Sequence, residues 1–247
     1  MNRYIKLLPF SWREFIRIRL FGSSPNRDLT LFVHEQKPSP ILIDVGAETG
    51  YDTILAAHNG YQVYAFEPDD YEYGRLTKNI ALEKAPNIEV LKMAVYHTNG
   101  TVTFYSNPKF GGTNSISEEF SEGTKVEVPA TRLDTFCKER NIQPDYLKID
   151  AEGVSLDVLK TYDFNWHQPI AVLVEPDDEE TERVMQEILQ SAGYDTFFGI
   201  FHQKEMGERS ILKRYDATYD RTIEFADIVA IRKDQTAAFK AWIKVAF

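Results

Sequence analysis

The apolar run Ile41-Leu42-Ile43 leads into Asp44-Val45-Gly46-Ala47-Glu48-Thr49-Gly50-Tyr51, and a second apolar run, Gln62–Phe66, ends in Glu67-Pro68. Few folds accept this order. A short strand that enters a glycine turn and then a helix start builds a crevice at the strand's carboxyl end, where the helix presents free N–H groups. A carboxylate roughly 20 residues beyond the glycine turn is spaced to accept hydrogen bonds from the two hydroxyls of a ribose. The pattern predicts a nucleoside-binding crevice, with Glu67 on the sugar.

Which nucleoside follows from what the loop lacks. Gly50 is followed by Tyr51 and Asp52, not by the Lys-Ser or Lys-Thr pair of a phosphate-binding loop. Gly46 and Gly50 are too far apart for G-x-G-x-x-G, in which pyrophosphate lies against the helix N-terminus. Asp44, Glu48 and Asp52 would repel a pyrophosphate, but they suit a ligand carrying an ammonium and a sulfonium. S-adenosylmethionine has that chemistry. A module that binds this ligand without catalysis and a nicotinamide-dependent oxidoreductase remain as alternatives, because a fold does not fix its chemistry.

Five segments read as strands of a parallel sheet, Ile41–Val45, Gln62–Phe66, Ile88–Met93, Tyr146–Asp150 and Ile170–Val174. Helices are predicted over Tyr51–His58, Tyr71–Glu83, Val154–Thr161, Glu179–Ala192 and Thr236–Val245, with two late strands at Tyr194–Ile200 and Phe225–Arg232. Between His97 and Thr131 the rhythm breaks. Thr101–Ser106 and Lys125–Ala130 alternate apolar and polar residues and predict a hairpin insertion. The glycine-rich Phe110–Ser115 between them reads either as a lid or as a plain loop.

At 247 residues and 43% hydrophobic the chain has material for one α/β domain, placed at 36–247, after an N-terminal extension over 1–35. Met1–Phe21 mixes apolar residues with Arg3, Lys6, Arg13, Arg17 and Arg19, which is too much charge for a membrane span. It reads as a helix covering the sheet or a dimer face, or as a basic segment making peripheral membrane contact. A net charge of −10 disfavours a nucleic-acid partner, and the lone Cys137 forms no internal disulfide, so a cytoplasmic location is expected. His34, His58, His97, His167 and His202 lack the spacing of a histidine zinc site.

The block Tyr146-Leu147-Lys148-Ile149-Asp150-Ala151-Glu152-Gly153 places two carboxylates at a strand end over the same crevice. They suit a general base, a divalent metal, or the ammonium of a cofactor; Glu152 equally suits the first turn of a helix. With these residues the chain resembles the FkbM family of S-adenosylmethionine-dependent methyltransferases. The resemblance rests on Asp44-Val45-Gly46-Ala47 with Gly50-Tyr51, Ala65-Phe66-Glu67-Pro68, Asn79 and Ala94-Val95. It continues through Thr131-Arg132-Leu133-Asp134, Lys148-Ile149-Asp150-Ala151-Glu152-Gly153 with Val158-Leu159, and Glu175. Two stretches depart from the usual family pattern, Glu48-Thr49 and Val154-Ser155-Leu156-Asp157.

The resemblance implies a class I methyltransferase fold, a Rossmann-like, mostly parallel α/β sheet of seven strands with the last antiparallel. It implies methyl transfer to a hydroxyl of a sugar, glycan or small natural product. On this basis Asp44, Gly46, Glu48 and Gly50 are expected around the methionine part of the donor, with Ala47, Thr49 and Tyr51 also among the cofactor-binding residues. Glu67 and Pro68 are expected at the ribose, Met93 and Ala94 at the adenine, and Asp150 at the reacting end. The candidates for a base are Asp150, Glu152, His202 and Glu175, in that order, and the need for a divalent metal is left open. The Phe110–Ser115 loop, the Phe197–His202 run and the Gln203–Thr222 connection, with Tyr215, Tyr219, Arg209 and Arg214, are the expected acceptor walls.

Overall fold

The computed structural model describes residues 24–106, 115–116, 124–200, 211–214 and 226–246. Its main sheet uses β1 (Ile41–Val45), β2 (Gln62–Phe66), β3 (Ile88–Leu91), β7 (Tyr146–Ile149), β8 (Ala171–Val174), β9 (Tyr194–Ile200), β10 (Ile211–Arg214) and β11 (Ala226–Arg232). The order is β10-β9-β11-β8-β7-β1-β2-β3. The pairs β3-β2-β1-β7-β8 are parallel, and β11 runs antiparallel to both β8 and β9. This is the expected seven-stranded, mostly parallel sheet, extended by β10, which pairs antiparallel with β9 at the edge. The chain order reverses between β1 and β7, so their carboxyl ends open a crevice at the switch point.

Strand alternation sorts the core into two layers. Leu147 and Ile149 of β7 point, with Ile43 and Val174, to the face packed by α4 (Leu133–Glu139), α5 (Ser155–Lys160) and α6 (Glu179–Ser191). Tyr146 and Leu173 point, with Leu42, to the face packed by α1 (Pro25–Gln36), α2 (Tyr51–His58), α3 (Asp70–Glu83) and α7 (Thr236–Ala246). Helix α1 begins at Ser24, whose side chain accepts from Arg27 N, followed by Pro25, and it buries Leu29, Phe32 and Val33 completely. Each such side chain stabilises the fold by about 1.5–3 kcal/mol. Helix α1, at the end of the expected 1–35 extension, therefore packs against the sheet; the segment before Ser24 lies outside the described residues.

The insertion is a three-stranded sheet rather than a bare hairpin. β5 (Gly100–Ser106) and β6 (Thr124–Thr131) pair antiparallel, and β4 (Ala94–Val95) joins β6 in parallel. Met93 falls outside β3 because its N–H turns back to the Leu91 carbonyl at 2.9 Å. Helix α4 was not legible in the sequence, since seven residues with no side-chain cap carry little periodic signal. No helix among the described residues is long and apolar enough to cross a membrane.

Candidate active site

The carboxyl ends of β1, β2 and β7 and the inner face of the insertion bound a cleft of about 610 Å3. Its floor is Val45, Gly46, Phe66 and Ala151, its apolar side is Met93, Ala94, Val95, Phe104 and Ile116, and five carboxylates face it, Glu48, Glu67, Glu72, Asp150 and Glu152. Of the expected residues, Gly46, Glu48, Glu67, Pro68, Met93, Ala94, Asp150 and Glu152 come together here.

The other loop residues are turned away, each for a local reason. Asp44 is fully buried beneath the loop, where it accepts a hydrogen bond from Thr53 Oγ1 at 2.6 Å and lies 3.3 Å from Lys148 Nζ. Ala47 packs into the layer beneath α1, with its N–H on the Phe66 carbonyl at 3.0 Å. The Thr49 carbonyl accepts from Asn79 Nδ2 at 2.8 Å, which ties the loop to α3. Gly50 caps α2 with φ +82°, and a side chain there would meet Leu76 Cδ1 at 2.2 Å. Tyr51 is the first residue of α2, outside the cleft lining. These five shape the loop from behind. Glu175 likewise stands outside the lining and acts on it through Asp150. His202, residues 110–114 of the glycine-rich loop, and Arg209, Tyr215 and Tyr219 of the expected acceptor wall lie outside the described residues.

Glu67 is held at the end of β2 by backbone donors. One oxygen accepts from Glu48 N at 2.8 Å and the other from Asp69 N at 2.9 Å. Burial nevertheless pushes its pKa up to about 7, against those hydrogen bonds. Asp69 caps α3 through Tyr71 N and Glu72 N, both at 2.9 Å, and its second oxygen accepts from Ser106 Oγ of β5. The cap directs Glu72 toward the cleft and clamps the insertion to it.

Lys148 is the central charge. It is 4% exposed and lies opposite Asp44 in the β1–β7 register. Its Nζ is 3.2 Å from Asp150 Oδ2 and donates to the Gly46 carbonyl at 3.3 Å. Burial would lower its pKa, but the charges of Asp150, Asp44 and Asp52 outweigh burial and hold it well above the ordinary value. For Asp150, burial opposes ionisation; the Lys148 charge and hydrogen bonds from Glu175 and Lys148 prevail and hold it below the usual range. Glu175, half-buried and hydrogen-bonded to Asp150, is pushed up to about 10, by desolvation first, and is the protonated member of that pair. Asp227 on β11 is raised to about 7 by burial and by the Asp150 charge. Sequence reading missed Lys148 and Asp227 as site groups, because strand adjacency alone brings them in.

Among the described residues no three His, Cys, Asp or Glu side chains converge as metal ligands do. His167 packs with its Nε2 against the Pro144 carbonyl at 2.9 Å. Arg132 of the Thr131-Arg132-Leu133-Asp134 stretch makes a two-pronged pair with Asp134, at 2.9 and 2.8 Å, and has a fold role.

Comparison with known proteins agrees with this geometry. Residues 44–196 match the methyltransferase FkbM domain. The chain is 27% identical over 135 residues to the hexuronic acid methyltransferase AglP of Haloferax volcanii, across 53% of this chain and 54% of that protein. It therefore spans about half of that relative's length. It is 24% identical over 170 residues to the 2-O-methyltransferase NoeI of Sinorhizobium fredii, across 58% of this chain and 68% of that protein. In fold it resembles the Bacillus cereus O-methyltransferase crystallised in complex with SAH, with a TM-score of 0.51 and 13% identity over 94% and 92% of the two chains. With more than half of its length matched by one family model, the chain belongs to the FkbM methyltransferases.

Proposed function

We propose that the protein is an S-adenosylmethionine-dependent O-methyltransferase acting on a hydroxyl of a sugar, glycan or small natural product. The observation that carries this reading is the pairing of five cleft carboxylates, the buried Glu67 at the end of β2 among them, with an apolar wall of Met93, Ala94 and Phe104. The fit is chemical. Burial, then the Asp150 charge, raises the pKa of Glu48, so an ammonium or sulfonium beside it would offset the repulsion among these carboxylates. Glu67 offers its remaining lone pairs to ribose hydroxyls, while the apolar wall suits an adenine ring.

When bound, the cofactor supplies an electrophilic methyl on a cationic sulfur. The residues of this chain do the rest. Glu48, Asp150 and Glu67 orient that cation at the switch point, the Met93–Val95 side excludes water, and the Asp150–Glu152 loop faces the reacting end. Alignment of this kind supplies effective concentration, worth up to about 7–11 kcal/mol in well-oriented reactions. The described lining presents carboxylates and no Lys, Arg or His side chain, which favours an acceptor that arrives as a neutral hydroxyl. One relative is named for a hexuronic acid, which supports a sugar acceptor, and another for 2-O-methylation, which supports transfer to oxygen. The test is incubation with methyl-labelled S-adenosylmethionine and a set of methyl pyranosides. Label is expected in an acid-stable ether on the sugar, and label confined to the unreacted donor contradicts the reading.

A further inference from the structure

We propose that Glu152 takes the proton from the acceptor hydroxyl, and that Asp150 is its fixed neighbour, locked by Lys148 and Glu175. This rests on the methyltransferase reading above and assigns the work within that site.

The argument is one of partners. Of the five cleft carboxylates, Glu67 accepts two backbone N–H groups, Glu72 pairs with Arg75 at 3.0 Å, and Asp150 is held by Lys148 at 3.2 Å and by Glu175. Glu48 and Glu152 accept no side-chain or backbone hydrogen bond among the described residues. Glu48 belongs to the β1 loop, with its own N–H on Glu67, and so stands at the donor end of the cleft, beside the cation it orients. Glu152 stands on the β7 side, and its backbone is fixed from three directions. Ala151 N donates to Ser155 Oγ at 3.0 Å, Gly153 N donates to Asp177 Oδ1 at 2.8 Å, and the Glu152 carbonyl accepts from Ser115 Oγ of the insertion. A rigid backbone carrying an unpartnered carboxylate into a cleft is the arrangement a positioned base requires.

Its titration fits that role. Burial first, then the charges of Asp150, Glu48 and Asp177, against the opposing Lys148, push Glu152 up to about 7. Asp150 is held too acidic, and Glu175 is protonated at neutral pH. In the step itself the acceptor O–H bond breaks and its proton passes to the Glu152 carboxylate. The oxygen lone pair forms the new C–O bond to the methyl group. The pair of the breaking S–C bond stays on sulfur, which becomes neutral.

The experiment compares the full chain with Glu152→Gln and Glu152→Asp, using methyl-labelled S-adenosylmethionine and methyl pyranosides as acceptor probes, with donor affinity measured separately by calorimetry. Glu152→Gln is expected to lower kcat by roughly 10²–10⁴-fold while donor affinity stays within about threefold. The unaltered protein is expected to show kcat rising with pH to a plateau, with a midpoint near 7. That midpoint disappears in Glu152→Gln and returns, with part of the rate, in Glu152→Asp. A Glu152→Gln protein that keeps its rate, keeps the midpoint, or loses donor binding in proportion to rate overturns the assignment. If the unaltered protein binds the donor but transfers no methyl to any pyranoside, the hydroxyl-acceptor reading falls and this assignment falls with it.

Discussion

Gly46→Ala is expected to lower the melting temperature by roughly 5–15 °C and to remove measurable donor binding. Gly46 has φ +78°, a region that costs a residue with a side chain about 1–2 kcal/mol. The added Cβ would stand 1.8 Å from the Asp150 carbonyl oxygen and 2.9 Å from its carbonyl carbon. Both are backbone atoms, so no rotamer change relieves the overlap, and the forced separation adds about 1–3 kcal/mol. The loops that must part carry Glu48 on one side and Asp150 with Glu152 on the other. Gly74→Ala is the matched control. Nothing lies within 4 Å of a Cβ there, and in the interior of α3 alanine is worth about 0.5–1 kcal/mol more than glycine. Thermal unfolding followed by circular dichroism checks both, and a Gly46→Ala protein melting within about 2 °C of the parent would refute the close-approach argument.

Lys148→Met is expected to destabilise the protein by about 3–5 kcal/mol, measured by denaturant unfolding. The methionine fills similar volume, so the loss is electrostatic. Asp44, 0% exposed, and Asp150 are left without the ammonium that lies 3.3 and 3.2 Å from them. A buried pair adds little net stability, but breaking it strands the partner charge. The double variant Lys148→Met with Asp44→Asn is therefore expected to recover part of the loss, since it removes one stranded carboxylate. A single variant less stable by under about 1 kcal/mol would show that Lys148 is not the counter-charge of the site.

What the sequence disclosed follows from how local each signal is. The glycine turn, Glu67 and the Lys148–Gly153 block are contiguous, so the strand ends and the crevice were legible. The helix over Tyr51–His58 was read to the residue because apolar residues and Asn59-Gly60 bracket it. Helix α1 is harder to see, even though Ser24-Pro25 is a cap followed by a favoured first residue. The polar residues Asn26, Asp28 and Thr30 that it buries blur its apolar stripe. The partners of Asp44 are hidden from the sequence for a different reason. A carboxylate in an acidic loop looks like a ligand until the register sets it directly opposite Lys148. Glu175 and Asp227 depend in the same way on β8 and β11 lying side by side. Pairing between strands distant in sequence decides which acids face the cleft and which hold one another.

The most direct measurement is a calorimetric titration of S-adenosylmethionine into the full chain and into Glu67→Gln. The account predicts one saturable site in the parent, weakened about tenfold or more in Glu67→Gln, because a charge-assisted hydrogen bond to the ribose is worth about 1.5–3 kcal/mol. No saturable heat in the parent, or equal affinity in the two proteins, would contradict a cationic methyl donor held at the ends of β1 and β2.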